Sequence, residues 1–377
     1  MTRRSALLLS ALALAVAGAI AVVAAAGRST AAPSTEPRSS PSQPAPATRP
    51  GSASVARPAQ APPAGNRLGS GRKVVFAFGG DVHFEGVLAS KLAAAPATVL
   101  APIAPTLRRA DLAVANLETA VTTGGAAASK AFAFRTPATA FEALRGGAVD
   151  VASMANNHGM DFGERGLRDS LAAARRHRFP VVGIGLNAKQ AYAPYRRTVN
   201  GQRIAVLAAT QVLDDHLISA WTAGPGKPGL ASAKDVPRLL RAVRQARRTS
   251  DTVVVYLHWG VELMECPTTD QRTLARQLVT AGADIVVGGH AHRLQGAGRM
   301  GSVLVAYGLG NFVWYGTTET STRSGVLFVT ATGRRVDSYR WVPARISDGV
   351  PRPITGSDRG RYVAAWRSLR SCTGLKP

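Results

Sequence analysis

The sequence predicts an α/β fold with helices flanking largely parallel strands, and three observations carry that reading. From Lys73 onward, short β-branched runs alternate with longer stretches of helical pattern. Hydrophobic residues make up 46% of the 377 residues and charged residues 18%, which leaves enough apolar material for a sizeable core. Five of the strand-like runs end on Asp, Glu, Asn or His, and the carboxyl edge of an open α/β sheet is where ligands gather.

The chain opens on Arg3 and Arg4, followed by a charge-free, largely apolar run from Ala6 to Ala26. That is long enough to cross a bilayer as one helix, so residues 1–27 read either as an N-terminal membrane anchor or as a signal peptide cleaved near Ala24-Ala25-Ala26. In both readings the arginines stay cytoplasmic and everything downstream lies outside the cell. Residues 28–72 are Pro, Ala and Ser with almost no aliphatic side chains, and they hold nine of the 23 prolines. Such a composition reads as a disordered, extended tether. The folded domain is expected over 73–343, with a C-terminal extension over 344–377.

Within that domain the expected strands are Val74–Phe78, Leu112–Ala115, Val149–Met154, Ile204–Ala209, Val253–His258, Ile285–Gly288, Val303–Tyr307 and Val326–Thr330. The expected helices are Phe141–Arg145, Glu164–Arg178, Pro237–Arg248 and Gln271–Ala281. The last is preceded by Thr268-x-x-Gln271, a capping-box pattern, and followed by Gly282, a residue suited to a left-handed C-terminal cap. Less helix separates the final strands, so part of the sheet there is expected to be antiparallel.

Net charge is +24, of which +6 falls in residues 1–70, and Arg outnumbers Lys 39 to 7. A basic surface of this kind favours polyanions, whether acidic polymer, anionic lipid or nucleic acid; compositional drift in an Arg-rich proteome is the plain alternative. Two cysteines are too few for a thiolate cluster, so any metal must sit on nitrogen and oxygen ligands. In an oxidising compartment Cys266 and Cys372 either bridge, closing a loop of about a hundred residues, or remain two unrelated thiols.

The chemistry gathers at the strand ends. Val74–Phe78 runs into Gly79-Gly80-Asp81-Val82-His83, Leu112–Ala115 into Asn116-Leu117-Glu118, and Val149–Met154 into Asn156-Asn157-His158. The fourth run ends at His258-Trp259 and the fifth at Gly289-His290-Ala291-His292. Five of the seven histidines therefore fall at these ends, with only His177 and His216 elsewhere. A mixed imidazole and carboxylate set suits Mn, Fe or Zn, and this many ligands suffice for two divalent ions. Imidazole ligates only when neutral, so binding is expected to weaken in acid.

These motifs, in this order, resemble the calcineurin-like metallophosphoesterase superfamily and, within it, the CapA-type poly-gamma-glutamate capsule-synthesis family. The resemblance rests on Ala115-Asn-Leu-Glu118-Thr, Ala155-Asn-Asn-His-Gly-Met-Asp161-Phe-Gly163, His258-Trp-Gly-Val-Glu262, Gly288-Gly-His-Ala-His292 and Gly308-Leu-Gly-Asn311-Phe, and spans Val74 to Trp314. It implies a four-layer α/β/β/α sandwich of metallo-dependent phosphatase type, with two mixed sheets and the site at their shared edge. Asp81, His83 and His292 would hold one metal ion and Asn157, His258 and His290 the other. Glu118 would bridge them, standing where most of the superfamily has Asp. His158 would be the general acid, and Asp161 either orients it or caps the following helix. Asn116, Glu262 and Asn311 would line the cleft. Trp259 is read as packing rather than as a substrate platform.

The implied function is extracytoplasmic, metal-dependent hydrolysis in capsule or cell-surface polymer biosynthesis, on an anionic envelope polymer or a phosphorylated substrate. Two rival classes stand beside it. One is a non-catalytic assembly or export partner of a membrane polymer synthase. The other is a secreted phosphodiesterase or nuclease, although nucleic acid is not the favoured polyanion.

Overall fold

In the computed structural model, which describes residues 68–377, the expected strands form two mixed sheets. The segment read as anchor or signal, and most of the tether, lie outside the described residues. Across the first sheet the order is Val350–Pro353, Arg335–Ser347, Arg323–Thr332, Val74–Val82, Leu112–Leu117, Val151–Ser153 and Val181–Val182; Asn311–Val313 also pairs with Val74–Val82. Across the second it is Ala297–Met300, Val303–Ala306, Ile285–His290, Thr252–Trp259, Gln202–Thr210 and Tyr195–Val199. The runs joined by helices pair in parallel, as do Ile285–His290 and Val303–Ala306; the antiparallel pairs are Tyr195–Val199 with Gln202–Thr210 and those of the late strands.

Alternation along the strands explains the layering. Val74, Phe76 and Phe78 share one face with Leu112 and Val114, and they pack against Ile204, Val206, Val254, Tyr256, Ile285 and Val287 of the other sheet. The opposite face of the first sheet, with Ala77, Ala113 and Phe328, is covered by Leu88, Leu92, Phe141, Leu144, Leu167 and Leu171 from three helices. Leu207, Val255, Leu257 and Val286 of the second sheet are covered by Leu239, Val243, Leu274 and Leu278 from Val236–Thr249 and Thr269–Ala281. Both sheets are thus buried on both faces, which is why their strands read as continuous apolar runs. The result is the four-layer α/β/β/α sandwich.

Local signals behave as their chemistry requires. Thr268 and Gln271 form both halves of a capping box, and Gly282 closes that helix in the left-handed region at φ 106°. In the first strand the partners shift from Phe78↔Val114 to Asp81↔Asn116, so one extra residue is accommodated at Gly79-Gly80. Such a bulge re-aims the side chains that follow it. Here it turns Asp81 toward His290, at the end of a second-sheet strand. No side chain fits at Gly80, where a Cβ would lie 1.9 Å from the Gly310 carbonyl oxygen.

The boundaries differ from the sequence reading at both ends. Leu68–Arg72, assigned to the tether, are held by the Gln202 side-chain amide, which donates to the Leu68 and Arg72 carbonyls. At the other end, residues 344–353 are not a separate extension. They complete two strands of the first sheet, and the helix Asp358–Ser368 stacks Trp366 on Trp341 at 5.1 Å. Cys266 and Cys372 are joined, with Cα atoms 5.7 Å apart, and the main chain of Lys376 pairs with Arg299 at the second sheet's edge. The bridge spans 106 positions, and the chain-entropy relation assigns such a loop about 4 to 5 kcal/mol. Urea unfolding is therefore expected to show Cys372→Ser less stable by roughly that amount, and the denatured, unreduced wild type to release no free thiol.

Candidate metal centre

Every strand end expected to carry chemistry converges where the two sheets meet. The joint is Asp81, which is fully buried. Its Oδ1 accepts from the Asn116 side-chain amide (2.9 Å), and its Oδ2 accepts the main-chain N–H of His290 (2.9 Å). The second bond crosses from one sheet to the other. Gly289 makes room for it, because a Cβ there would lie 2.2 Å from Asp81 Oδ1. His290 and His292 then adopt positive φ, 88° and 51°, which aims both rings back into the site.

Two overlapping groups of ligand atoms result, Asp81 with Glu118 and His258, and Glu118 with His290 and His292, each set lying within 4.8 Å. Glu118 belongs to both, as a bridging carboxylate would. His258 Nε2 lies 3.3 Å from Glu118 Oε1 and 2.7 Å from Asn157 Oδ1. His292 Nδ1 lies 3.5 Å from Asp81 Oδ2 and 2.9 Å from Asn311 Oδ1. The expected division put Asp81 with His292, whose polar atoms lie 3.5 Å apart, and His258 with His290, whose ring centroids lie 4.8 Å apart. His83 belongs to neither group. Its Nδ1 accepts the Glu85 N–H (3.1 Å), and its ring is packed against Phe134, Trp314 and Tyr315.

The polar atoms left over show whether these residues fit a pair of cations. Both carboxylate oxygens of Glu118, His290 Nδ1 and His83 Nε2 are buried without a hydrogen-bond partner. Buried polar groups are ordinarily satisfied, and here Glu118 and His290 belong to one ligand group. Burial and the charge of Asp81 push the Glu118 carboxyl up to about 8. Burial also raises Asp81, but the bond from His292, the charges of His258 and His292, and the Asn116 amide outweigh it, so that carboxyl falls to about 2. Burial lowers His258 to about 3 and carries His290 well below its usual range, so both rings are neutral and free to ligate. His292 is lowered by burial but raised more strongly by Glu118 and Asp81, to about 9. The unpartnered Glu118 oxygens beside the neutral rings of His258 and His290 are where divalent ions would supply positive charge, and His292, held protonated by its two acidic neighbours, would give up its proton to ligate.

Beside the ligands stands a second device. His158 Nδ1 lies 2.5 Å from Asp161 Oδ2, and the other oxygen of Asp161 accepts from Lys130 Nζ (2.9 Å). Asp161 also accepts the Phe134 N–H (2.6 Å). Asp161 therefore orients His158, while the helix Gly163–Arg176 begins at Phe162 with no side-chain cap. Phe134 stacks on the His158 ring at 4.1 Å. Neither Lys130 nor Phe134 carries a sequence signal, since both lie on a loop whose neighbours have no periodicity. Asn156, inside a motif read from the sequence, donates to Asn116 Oδ1 and accepts the His158 N–H.

The residues expected to line the cleft separate into different roles. Asn116 is fully buried beneath the ligands and fixes Asp81, with its amide nitrogen 3.1 Å from His258 Nδ1. Asn311 is also buried, held by donation to the Ser321 carbonyl while its Oδ1 faces His292. Glu262 is exposed on the loop before Cys266 and helps to raise His292 by its charge. Trp259 is packing, with its indole N–H bonded to the Tyr307 carbonyl (2.7 Å).

The family described as Bacterial capsule synthesis protein PGA_cap matches residues 75–315. The chain is similar to the PGA biosynthesis protein CapA of Bacillus subtilis, 31% identical over 259 residues, which is 67% of this chain and 66% of that protein. It is 34% identical over 228 residues to the Capsule biosynthesis protein CapA of Bacillus anthracis, covering 58% of this chain and 54% of that one. A probable polyglutamine synthesis accessory protein of Mycobacterium tuberculosis is 27% identical over 210 residues, 54% of this chain and 55% of that protein. The chain thus spans between half and two thirds of the length of these relatives.

Two outcomes follow from the geometry. Lys130→Met removes one partner of a buried ion pair, so urea unfolding should show a loss of about 3 to 5 kcal/mol, with less than additive loss when combined with Asp161→Asn. Glu118 holds its proton more tightly folded than unfolded, so the metal-free fold loses stability as pH rises from about 4.5 toward 8. Glu118→Gln removes that loss. Metal-free Glu118→Gln should match the wild type near the lower end of that window and exceed it in stability near the upper end.

Proposed function

The chain belongs to the PGA_cap family of bacterial capsule synthesis proteins, and from that premise we propose that it is a metal-dependent hydrolase-type protein of capsule or cell-surface polymer synthesis, acting outside the membrane. The observation that carries the reading is Glu118, a buried carboxylate without a donor, shared between two groups of ligand atoms. Asp81, Glu118, Asn157, His258, His290 and His292 would hold two divalent ions, Mn, Fe or Zn by the softness of the ligand set. When bound, such a pair supplies positive charge against a developing oxyanion and lowers the pKa of water.

The remaining chemistry belongs to the chain. Asp161 takes hydrogen bonds from Lys130 and the Phe134 amide, so toward His158 it can only accept. That fixes a proton on His158 Nδ1 and leaves Nε2 as the atom that carries or releases a proton to a leaving group. Stacking against Phe134 holds the ring in that orientation. Export and tethering rest on Ala6–Ala26 and on the proline-rich segment after it. The Cys266–Cys372 bridge supports a location outside the reducing cytosol.

Elemental analysis of the purified protein is expected to find two ions of Mn, Fe or Zn per chain. His290→Ala and Glu118→Ala should each lose at least one ion and abolish hydrolysis across a panel of phosphoesters and glutamate amides, with folding retained. His158→Ala should keep the metal and slow turnover by about a hundredfold or more. A wild type that takes up no stoichiometric metal would overturn the reading. Full metal with no hydrolysis of any substrate would favour an accessory role beside a synthase.

A further inference from the structure

Next to the metal centre lies a cleft of about 300 Å³ that the PGA_cap match does not account for. One wall is Arg293, which follows His292 directly and donates to its carbonyl (3.2 Å). Most of the other walls come from beyond residue 315: Arg323, the stacked pair Trp341 and Trp366, Arg361 and Tyr362. Ser324, also in the lining, donates to the Asn311 carbonyl, and Asn311 faces His292, so cleft and centre share a wall.

The polar groups in this cleft are mostly donors. The indole N–H of Trp366 is buried and has no acceptor among the described residues. Tyr362 accepts from Arg345 (3.0 Å), which leaves its own hydroxyl hydrogen free to donate. Two acids, Glu265 and Glu319, also line the cleft. Glu319 is exposed and paired with Arg323 (2.9 Å), and Arg361 is paired with the exposed Asp358 (3.2 Å). Exposed pairs of this kind contribute little, so a ligand carboxylate can replace either acid at small cost. Planar guanidiniums match carboxylates in two-point geometry, and an unpaired buried N–H calls for one more acceptor.

We propose that this cleft is a carboxylate-binding subsite that holds a segment of a polyglutamate-type chain against the metal centre. The proposal rests on the capsule-polymer reading above but not on catalysis. The Cys266–Cys372 bridge fits it, because Glu265 borders the cleft on one side of the bond and the helix Asp358–Ser368 borders it just before the other.

The test is calorimetric titration of the full-length, disulfide-intact protein with glutamate oligomers. Arg361→Ala and Arg323→Ala, both at exposed positions, should each weaken binding about tenfold with the unfolding midpoint unchanged. Trp366→Phe keeps the ring stack but removes the donor, and should weaken binding severalfold. Arg244→Ala, on an exposed helix face of the second sheet's layer, should have no effect. Failure of the wild type to bind the oligomers, or binding indifferent to the three cleft variants, would overturn the subsite. Equal competition by inorganic polyphosphate would overturn the carboxylate assignment. A wild type that takes up no stoichiometric metal yet shows the variant pattern would sink the hydrolase reading and leave the subsite standing.

Discussion

The bond from the His290 main-chain N–H to Asp81 Oδ2 is the contact on which the rest of the site depends. It ties the carboxyl end of a first-sheet strand to the carboxyl end of a second-sheet strand, in a buried position. Two further requirements follow from it. Position 289 must lack a Cβ, and the chain must turn through positive φ at His290 and His292 to keep the amide pointed at Asp81. The same turn delivers both imidazoles. Ligand placement and sheet-to-sheet registry are therefore one structural event. Backbone strain at those two histidines is held in place by the packed sheets behind them.

Two fully buried carboxylates a short distance apart titrate in opposite directions, and the cause is local. Asp81 receives an amide side chain, a backbone N–H and a neighbouring imidazole, so its charge is stabilised despite burial. Glu118 receives nothing and feels Asp81 as a like charge. If Asp81 were also without donors, the site would hold two neutral acids and would have little reason to draw cations in. One carboxylate is kept charged by the protein and the other is left without a donor, which is where a cation would find an unused ligand. Glu118 Oε1 lies within 4 Å of both His258 and His292.

Much of this was legible in the sequence, for a physical reason. Strands buried on both faces must be apolar throughout, and the polar residue that ends such a run is conspicuous. Asp81, Glu118, His258, His290 and His292 all announce themselves in that way. Residues whose contribution comes from across the fold do not. Lys130 sits in a loop of small residues and acquires meaning only when Asp161 is brought beneath it. Asn116 stands in a readable motif, yet its burial under the ligands depends on Asn156 from another strand end. His83 was legible by its spacing from Asp81, but the Glu85 amide and three aromatic rings that hold its ring were not. Strand edges and the C-terminal helix were missed because Arg335–Ser347 alternates buried and exposed residues irregularly, and Asp358–Ser368 buries little besides Trp366.

That weakly patterned C-terminal segment has a further consequence for how the molecule is held together. A helix with one buried residue cannot hold its place by apolar burial alone, since a single large side chain contributes about 2 to 3 kcal/mol. Its position is fixed instead at three points that differ in kind: the Trp366–Trp341 stack, the covalent bridge to Cys266, and the pairing of Lys376 with Arg299. Two of these lie after the helix and one within it, so the segment is secured downstream of the cleft it borders. The loop that carries Cys266 also carries Glu262, whose charge acts on His292, and Met264, whose carbonyl is held by Gln295. Gln295 in turn accepts from Gln271 at the start of the capping-box helix. A single connected set of contacts thus runs from the second sheet's outer helix, through the rim of the metal centre, to the tail. Loss of the bridge would act on the rim as well as on the tail, because the same loop is the fixed end of both.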